Sequence, residues 1–253
     1  FGPFADGFIE AEYCRSNCDC SKVCEKSIKS IKNSINTNTC AVIVEPIQGE
    51  GGIITPQSGW LKQLRDLCDE NNVLLILDEI QSGLGRTGKL FAFEHENIKP
   101  DGLILGKALG GGLLPVSAFL SSKEIMNHFN PGSHGSTFGG NPLAAKVASK
   151  ALDLLYTDNL IENSKIMGSY LKEKLLAMNH SFIKEIRGKG LWIGVELDSS
   201  ISAKKICVSL MGEGILAKET HETVIRFAPP LLINKDQIDW AIKKINKVFH
   251  EYK

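Results

Sequence analysis

An acidic and a basic residue end two short apolar runs of this 253-residue chain. Residues 73–78 read VLLILD and residues 102–107 read GLILGK, so Asp78 and Lys107 each close a segment typical of a buried strand. A lysine amine can form a Schiff base with an aldehyde, and a carboxylate can keep a pyridine nitrogen protonated so that the ring withdraws electrons. Delivered from neighbouring strand ends, the pair predicts a site for pyridoxal 5'-phosphate.

The segments that must position this pair alternate between strand and helix patterns. Strand patterns occur at residues 40–45, 73–79, 103–105 and 116–120, and a helix pattern occurs at residues 57–71. This alternation predicts an α/β fold with a mainly parallel sheet covered by helices, because parallel strands need crossover connections. The site is then expected in the loops at the strand ends.

A second zone follows a glycine-rich segment at residues 132–140. Asn141 and Pro142 suit the N-cap and first turn of a helix that runs towards residue 156. Further helices are predicted at residues 158–178, 203–211 and 235–250, with strands at 182–187, 191–197, 214–217 and 224–227. We therefore predict a large domain within residues 1–150 and a smaller α+β domain at residues 151–253.

The composition favours a small-molecule substrate. Twenty-nine basic residues balance 29 acidic ones, 43% of residues are hydrophobic, and no basic run is interleaved with aromatic residues. No nucleic-acid or membrane partner is therefore expected, and the apolar runs are too short to span a bilayer. The chain opens on FGPF without an initiator Met or a signal-peptide pattern, so we expect it to be the later part of a longer protein.

Four of the seven cysteines crowd into one segment as Cys14, Cys18, Cys20 and Cys24. Their spacing lacks the C-x2-C pairs that usually present sulfur to zinc, so we interpret them as surface cysteines in a partly helical segment rather than a metal site. The odd number of cysteines favours a reducing compartment. We expect the cytoplasm, with the mitochondrial matrix as the alternative.

One loop carries two nucleotide-like motifs. Gly83, Gly85 and Gly88 spell G-x-G-x-x-G, and residues 83–89 also begin a phosphate-binding loop. Leu90 offers no hydroxyl for magnesium, and the segment after the loop is too short for the helix that a dinucleotide requires. A surface loop that uses glycine for its backbone geometry is the favoured interpretation.

Asp78 and Lys107 could also serve as a helix cap and a solvated surface amine. Their surroundings favour chemistry, because polar and glycine residues cluster after the same strands. Hydroxyl and amide donors in the glycine-rich segment could hold a phosphate without an arginine. The surrounding residues are Glu45, Pro46, Gln48, Gly49 and Glu50, then Gln81, Gly110 to Gly112, and Ser136, Thr137, Gly139 and Gly140.

Five motifs together resemble one enzyme family: VEPIQGEGG, LDEIQSGLGRTG, GKALGGGLLPVSA, GSHGSTFGGNPL and RFAPPL. They are similar to the class III group of fold-type I pyridoxal phosphate aminotransferases, and the similarity extends over most of the chain. Within that group PVSA, and LAKETH followed by IRFAPPL, resemble the ornithine-specific branch, since acetylornithine aminotransferases usually differ at both places. The resemblance implies the pyridoxal phosphate-dependent transferase fold and a homodimer.

The resemblance also implies roles for individual residues. Lys107 would hold the cofactor and shuttle the proton of the reaction, while Asp78 would pair with the pyridine nitrogen. Gln81 would hydrogen-bond the phenolic oxygen. Thr137, with Ser136 beside it, would reach the phosphate bound by the neighbouring subunit. Glu45 belongs to the same predicted set of cofactor-binding residues.

Two further residues are implied to serve two substrates in one pocket. Arg226 would bind the α-carboxylate of glutamate or 2-oxoglutarate, and Glu50 would neutralise Arg226 when ornithine presents its terminal amine. The implied reaction moves the δ-amino group of L-ornithine to 2-oxoglutarate. Three alternatives stay open: a structural Glu50–Arg226 salt bridge, an acetylornithine or other ω-amino donor, and a truncated non-catalytic homologue.

In the family, some of the site lies upstream of FGPF. A glycine-rich phosphate loop, an aromatic residue stacked on the cofactor ring and the residues that grip the ornithine carboxylate are all implied there. We expect activity from the longer protein and an inactive or unstable product from these 253 residues alone.

Overall fold

The structure is a computed structural model that describes residues 5–15 and 24–252. Its first sheet has four strands in the order β1-β2-β3-β4. Strands β1 to β3 run parallel and β4 runs antiparallel to β3, which confirms the predicted mainly parallel sheet. The strands are β1 (Ala41–Val44), β2 (Leu74–Asp78), β3 (Gly102–Leu105) and β4 (Ala118–Ser121).

Helix α2 (Trp60–Glu70) covers this sheet and lies within the predicted helix at residues 57–71. Leu75 and Leu77 alternate along β2 and are fully buried, in one apolar cluster with Trp60 and Leu64 of α2. The burial of these side chains drives the packing of helix on sheet, since each contributes roughly 1.5–3 kcal/mol. The packing of helix on sheet therefore fixes the ends of β2 and β3, which carry the predicted site residues Asp78 and Lys107.

Three more helices belong to this half of the chain. They are α1 (Glu25–Ser34), the short α3 (Lys123–Met126) and α4 (Pro142–Thr157). Asn141 caps α4 as predicted: its side-chain oxygen accepts hydrogen bonds from the backbone N–H groups of Leu143 and Ala144, at 2.9 and 3.1 Å. The predicted domain boundary at residue 150 lies inside α4 and stays a prediction.

The second sheet has the strand order β5-β6-β8-β7 and is antiparallel throughout. Its strands are β5 (Ile183–Lys189), β6 (Trp192–Leu197), β7 (Lys218–Thr220) and β8 (Val224–Phe227), and its helices are α5 (Leu160–Ala177), α6 (Ala203–Gly212) and α7 (Lys235–His250). The predicted strand at residues 214–217 is wrong. Gly214 is at φ +87°, which continues the turn after α6, so the strand starts four residues later than residue 214.

Three glycines form a tightly packed contact, which we call the glycine seam: Gly88 of the first half, and Gly168 and Gly190 of the second. A Cβ on Gly168 would lie 2.1 Å from the carbonyl carbon of Gly190, and one on Gly190 would lie 2.5 Å from the carbonyl carbon of Thr87. A Cβ on Gly88 would lie 2.8 Å from the Cβ of Lys165. Backbone therefore touches backbone here, and no larger residue fits.

Cys14 and Cys24 are buried in the apolar cluster between α2 and the first sheet, so the interpretation of these two as surface cysteines is wrong. They pack there because α1 docks its apolar face on α2. Cys18 and Cys20 lie outside the described residues. Within the described residues no group of three or more His, Cys, Asp or Glu side chains could hold a metal. The compartment stays a prediction.

No helix in the described part of the chain is both long enough and apolar enough to cross a membrane.

Candidate active site

Asp78 and Lys107 come together at one edge of the first sheet. Asp78 ends β2 opposite Ile104 of the parallel strand β3, and Lys107 follows three residues after Ile104. Asp78 Oδ1 accepts a hydrogen bond from the backbone N–H of Ile80 at 2.9 Å. Its other oxygen, Oδ2, and the amine of Lys107 have no hydrogen-bond partner among the described residues. Both groups are therefore available to a ligand.

Lys107 has an unusual backbone conformation. Its φ is +42°, in the left-handed region that side chains other than glycine rarely occupy. Such a conformation costs about 1–3 kcal/mol and persists only where the surrounding structure imposes it. Lys107 follows the extended Gly106 and opens a single 3-10 turn, and Gly111 and Gly112 then also take positive φ. This turn directs the lysine side chain towards the cleft described below.

Glu45, just after β1, adds a second carboxylate at the same edge. Its Oε2 accepts a hydrogen bond from the backbone N–H of Gly49 at 2.9 Å. Burial is the main reason that the pKa of Glu45 is raised, and the negative charge of Asp78 raises it further. The positive charge of Lys107 acts in the opposite direction. The three predicted residues therefore share one electrostatic environment.

Gln81 lies over the turn that carries Glu50. A Cβ on Gly49 would stand 2.4 Å from the Gln81 amide nitrogen, so a larger residue at position 49 would displace this side chain. Gln81 Nε2 lies 3.4 Å from Glu50 Oε1, and Gln81 Oε1 lies 3.5 Å from Arg226 Nη1. These distances are at the long limit for hydrogen bonds. The amide therefore retains capacity to bind a ligand.

Glu50 and Arg226 form an ion pair between the two halves of the chain. Arg226 Nη1 lies 3.0 Å from Glu50 Oε1, and Lys218 Nζ lies 3.3 Å from Glu50 Oε2. Partial burial raises the pKa of Glu50, but the Lys218 hydrogen bond and the charge of Arg226 outweigh that effect and leave the pKa below its ordinary value. Glu50 is consequently a carboxylate at neutral pH.

An open cleft of about 520 Å³ lies between the two sheets, and Asp78 and Glu45 are not among the residues that line it. Such a volume suits a small-molecule ligand. The lining residues include the predicted Glu50, Gln81, Lys107 and Arg226, together with Arg86, Trp192 and Lys218.

Ser136 and Thr137 do not line this cleft. They lie in an exposed loop that precedes α4, and Phe138 beside them is 81% exposed. Their predicted role at a cofactor phosphate therefore stays a prediction, and within this chain the loop faces solvent.

The glycine-rich loop at residues 83–89 is not a surface loop, so that part of the interpretation is wrong, whereas the need for glycine geometry is confirmed by Gly85 and Gly88 at φ +86° and +83°. Most of its residues are buried, because the loop packs against α5 and the residues just before β6 at the glycine seam. Arg86 Nη1 donates hydrogen bonds to the carbonyl oxygens of Leu191 at 2.9 Å and Pro229 at 2.7 Å. Burial, followed by the charge of Arg226, lowers the pKa of Arg86 to about 10.

Arg187 of β5 anchors the turn that carries Glu50. Its Nε and Nη2 donate to the carbonyl oxygen of Gly52 at 3.0 and 2.7 Å, and its Nη1 pairs with Glu185 and Glu196. Arg187 is 8% exposed. The backbone around Glu50 is therefore fixed to the second sheet.

Replacement of Arg187 should destabilise the fold. We expect Arg187→Met to lower the free energy of unfolding by about 3 kcal/mol, because it removes the cation that pairs with two half-buried carboxylates and the donor to the Gly52 carbonyl. Urea unfolding would measure the change. Lys184→Met, which removes an exposed pair with Asp198, is the control and should leave stability nearly unchanged. Equal stability of the two variants would contradict the anchoring role.

Glu79, directly after Asp78, is a buried carboxyl group. It accepts hydrogen bonds from the backbone N–H groups of Ala92 at 2.6 Å and Phe93 at 2.9 Å. Burial raises the pKa of Glu79 from 4.5 to about 7, although these two donors act to lower it. Glu79 therefore holds the 3-10 turn Ala92–His95 against the strand that ends at the site.

The raised pKa of Glu79 predicts a pH dependence of stability. Between pH 4.5 and about 7 the folded chain binds a proton that the unfolded chain has lost. The stabilisation is complete below pH 4.5 and is lost as the pH rises towards 7, by about 3 kcal/mol at most. Urea unfolding across this range should show the decline in wild type and a flatter profile in Glu79→Gln. The exposed Glu70→Gln is the control, and an unchanged slope in Glu79→Gln would contradict the assignment.

Comparison with known proteins decides the family. The family model described as aminotransferase class-III matches residues 1–249. The chain belongs to the class III aminotransferases. This family uses pyridoxal phosphate, in agreement with the sequence-based prediction from Asp78 and Lys107.

Several proteins similar to this class III chain are named as ornithine or acetylornithine aminotransferases. Ornithine aminotransferase 2 of Staphylococcus saprophyticus is 51% identical over 249 residues, which are 98% of this chain and 59% of that protein. The solved ornithine aminotransferase of Toxoplasma gondii superposes with a TM-score of 0.91 at 41% identity, over 99% of this chain and 57% of that one. The acetylornithine aminotransferase of Elizabethkingia anophelis gives a TM-score of 0.84 at 44% identity, over 88% of this chain and 57% of that one. The class III chain thus spans about three-fifths of the length of these relatives.

Two charged cleft residues of this class III aminotransferase were missed by sequence reasoning. Arg86 was read only as part of the glycine-rich loop, and its contacts with Leu191 and Pro229 join residues 105 and 143 positions apart. No local pattern reveals such contacts. Lys218 could have been found, because a strand at residues 218–220 pairs antiparallel with β8 and places Lys218 opposite Arg226.

Proposed function

We propose that the protein containing this chain transfers the δ-amino group of L-ornithine to 2-oxoglutarate, giving glutamate 5-semialdehyde and glutamate. One observation carries the proposal: an arginine paired with a carboxylate stands in the same cleft as the free lysine at a strand end. The curated relatives, named as ornithine aminotransferases, support the same reaction.

Pyridoxal phosphate supplies an electron sink that stabilises negative charge on the substrate carbon next to the reacting amine. The residues of this chain fit its ring. Lys107 Nζ would hold the cofactor and, once displaced by the substrate amine, take the proton from that carbon. The unpaired Asp78 Oδ2 would accept a hydrogen bond from the protonated pyridine nitrogen, and Gln81 would donate to the phenolic oxygen.

Glu50 and Arg226 would let one pocket accept two substrates. Glutamate reacts at its α-amine, so its α-carboxylate can bind Arg226 in the bidentate geometry natural to a guanidinium. Ornithine must react at its δ-amine, so its α-carboxylate must bind elsewhere. The Glu50 carboxylate then neutralises Arg226, and no unpaired charge remains in the cleft.

We also propose that the intact protein is a homodimer. Thr137, with Ser136, would reach the cofactor phosphate bound by the neighbouring subunit. The exposed loop that holds both residues, with Phe138 and Leu143 exposed at 81% and 62%, supports this proposal.

An absorption spectrum tests the proposed function. The purified protein with pyridoxal phosphate should show the band of lysine-bound cofactor near the visible edge, ornithine should bleach the band, and 2-oxoglutarate should restore it. A folded protein that binds the cofactor but responds to neither substrate would refute the proposal and favour a non-catalytic homologue.

N-acetylornithine is the second candidate donor. The solved acetylornithine aminotransferase of Elizabethkingia anophelis, at 44% identity, favours it. Turnover with ornithine, N-acetylornithine and γ-aminobutyrate, each against 2-oxoglutarate, would separate the candidates. A strong preference for N-acetylornithine would replace ornithine as the proposed donor.

Removal of Glu50 should affect the two half-reactions unequally. In Glu50→Ala we expect kcat/KM for ornithine to fall about tenfold or more, equivalent to at least about 1.4 kcal/mol, because Arg226 is left unpaired. The glutamate half-reaction should change less, since the substrate carboxylate itself pairs with Arg226. Single-turnover spectra of each half-reaction measure both values, with the exposed Glu222→Ala as control. Equal losses in both halves would contradict the switch.

A further inference from the structure

Glu50 has two cationic partners, one on each of its carboxylate oxygens. Oε1 pairs with Arg226 at 3.0 Å and Oε2 pairs with Lys218 at 3.3 Å. The partners differ in environment: the side chain of Arg226 is 20% exposed, that of Lys218 is 57% exposed, and that of Glu50 is 52% exposed. Arg226 therefore lies towards the inside of the cleft and Lys218 at its rim.

The two cations face each other across one strand pair. Lys218 of β7 and Arg226 of β8 are directly opposite in the antiparallel register, so their side chains lie on the same face of the sheet. Like charges in this arrangement repel each other. The carboxylate of Glu50 stands between them and relieves the repulsion. The three charges therefore form one network, in which Glu50 pairs with both Arg226 and Lys218.

We propose that Lys218 is a positioning residue that holds the Glu50 carboxylate whenever Arg226 binds a substrate carboxylate. The inference deepens the proposed function and rests on it. In the ornithine half-reaction Glu50 would pair with both cations. In the glutamate half-reaction the substrate carboxylate would take Arg226, and Glu50 would remain paired with Lys218 alone.

The surrounding contacts limit the change to the side chain of Glu50. Arg187 holds the carbonyl of Gly52 with two hydrogen bonds, so the backbone of the turn stays on the second sheet. Gln81 offers only a 3.4 Å contact to Oε1. When Arg226 is taken by substrate, Lys218 is the one cation already in contact with Glu50 among the described residues. Without it the carboxylate would compete with the substrate for Arg226.

The inference predicts a selective effect of Lys218→Met in the cofactor-loaded protein. Affinity for glutamate and 2-oxoglutarate should fall about tenfold, equivalent to about 1.4 kcal/mol, while the ornithine half-reaction changes less than about twofold. Glutarate, which has no reacting group, provides a readout besides activity: its dissociation constant, measured by calorimetry, should rise by about the same factor. Lys218→Arg should restore both values.

A double-mutant cycle separates positioning from direct substrate binding. In the Glu50→Ala background, Lys218→Met should have no further effect on glutarate affinity, because the carboxylate that Lys218 holds is gone. An undiminished effect in that background would overturn the inference and make Lys218 a direct ligand of the substrate. The exposed Lys204→Met is the matched control. Thermal unfolding confirms that each variant folds.

Two further outcomes separate failure of the proposed function from failure of the role of Lys218. A wild-type protein that binds cofactor but shows neither half-reaction refutes the proposed function before Lys218 is changed. Normal half-reactions in wild type, with unchanged glutarate affinity in Lys218→Met, would refute the role of Lys218 and leave the proposed function intact.

Discussion

Lys107→Ala is expected to abolish both the band of lysine-bound cofactor and turnover. Lys107 Nζ is the amine that lines the cleft next to the strand end carrying Asp78, and it has no other partner among the described residues. Alanine can neither hold the cofactor aldehyde nor carry the proton. We expect a loss of at least four powers of ten in rate, which corresponds to about 5 kcal/mol or more of transition-state stabilisation.

Absorption spectra and steady-state kinetics would measure this loss, with Lys123→Ala as the control because Lys123 is exposed at the start of α3. Stability gives an independent readout. Lys107 is at φ +42°, so Lys107→Gly should be inactive yet about 1 kcal/mol more stable, because glycine adopts this conformation without strain. Near-normal turnover in Lys107→Ala would refute the central assignment.

Asp78→Ala should retain the cofactor but lose about three powers of ten in rate, or about 4 kcal/mol. The carboxylate stabilises the protonated pyridine ring, and without that charge the ring withdraws electrons poorly. The lysine-bound band should remain because Lys107 is intact.

Asp78→Asn separates charge from local structure. The amide oxygen can still accept the hydrogen bond from Ile80, so the turn after β2 is preserved. If the charge is what matters, Asp78→Asn and Asp78→Ala should be impaired to a similar degree in single-turnover kinetics. An asparagine variant with wild-type rates would contradict the assigned role and leave Asp78 as a residue that only holds the turn after β2.

The first sheet was predictable because its signals are local. Leu75 and Leu77 alternate with partly exposed positions along β2, and the cap at Asn141 needs only the residues that follow it. The strand ends then place Asp78 and Lys107 together, since neighbouring parallel strands finish at one edge. Glu50 and Arg226 were paired through the family resemblance, and their 3.0 Å contact agrees with that expectation.

The errors arose where distant parts of the chain decide the structure. Cys14 and Cys24 are buried by the docking of α1 on α2, which their spacing does not reveal. The glycine-rich loop is buried by α5 and β6, which lie far along the chain. The strand misplaced at residues 214–217 is β7, and its correct position depends on pairing with β8. That error also hid Lys218.

The glycine seam limits which motions can accompany the change of substrate. At Gly190 the backbone of the second half meets the backbone of Thr87 and Gly88 in the first half with no side chain between them, so relative rotation of the two halves would have to break this contact. Alternation between two amino-acid substrates would then depend on rotamer exchange of Glu50, a motion of picoseconds to nanoseconds, rather than on hinge motions of microseconds to milliseconds. Under the proposed function, the change from one substrate class to the other would therefore not require the two halves of the chain to move relative to each other.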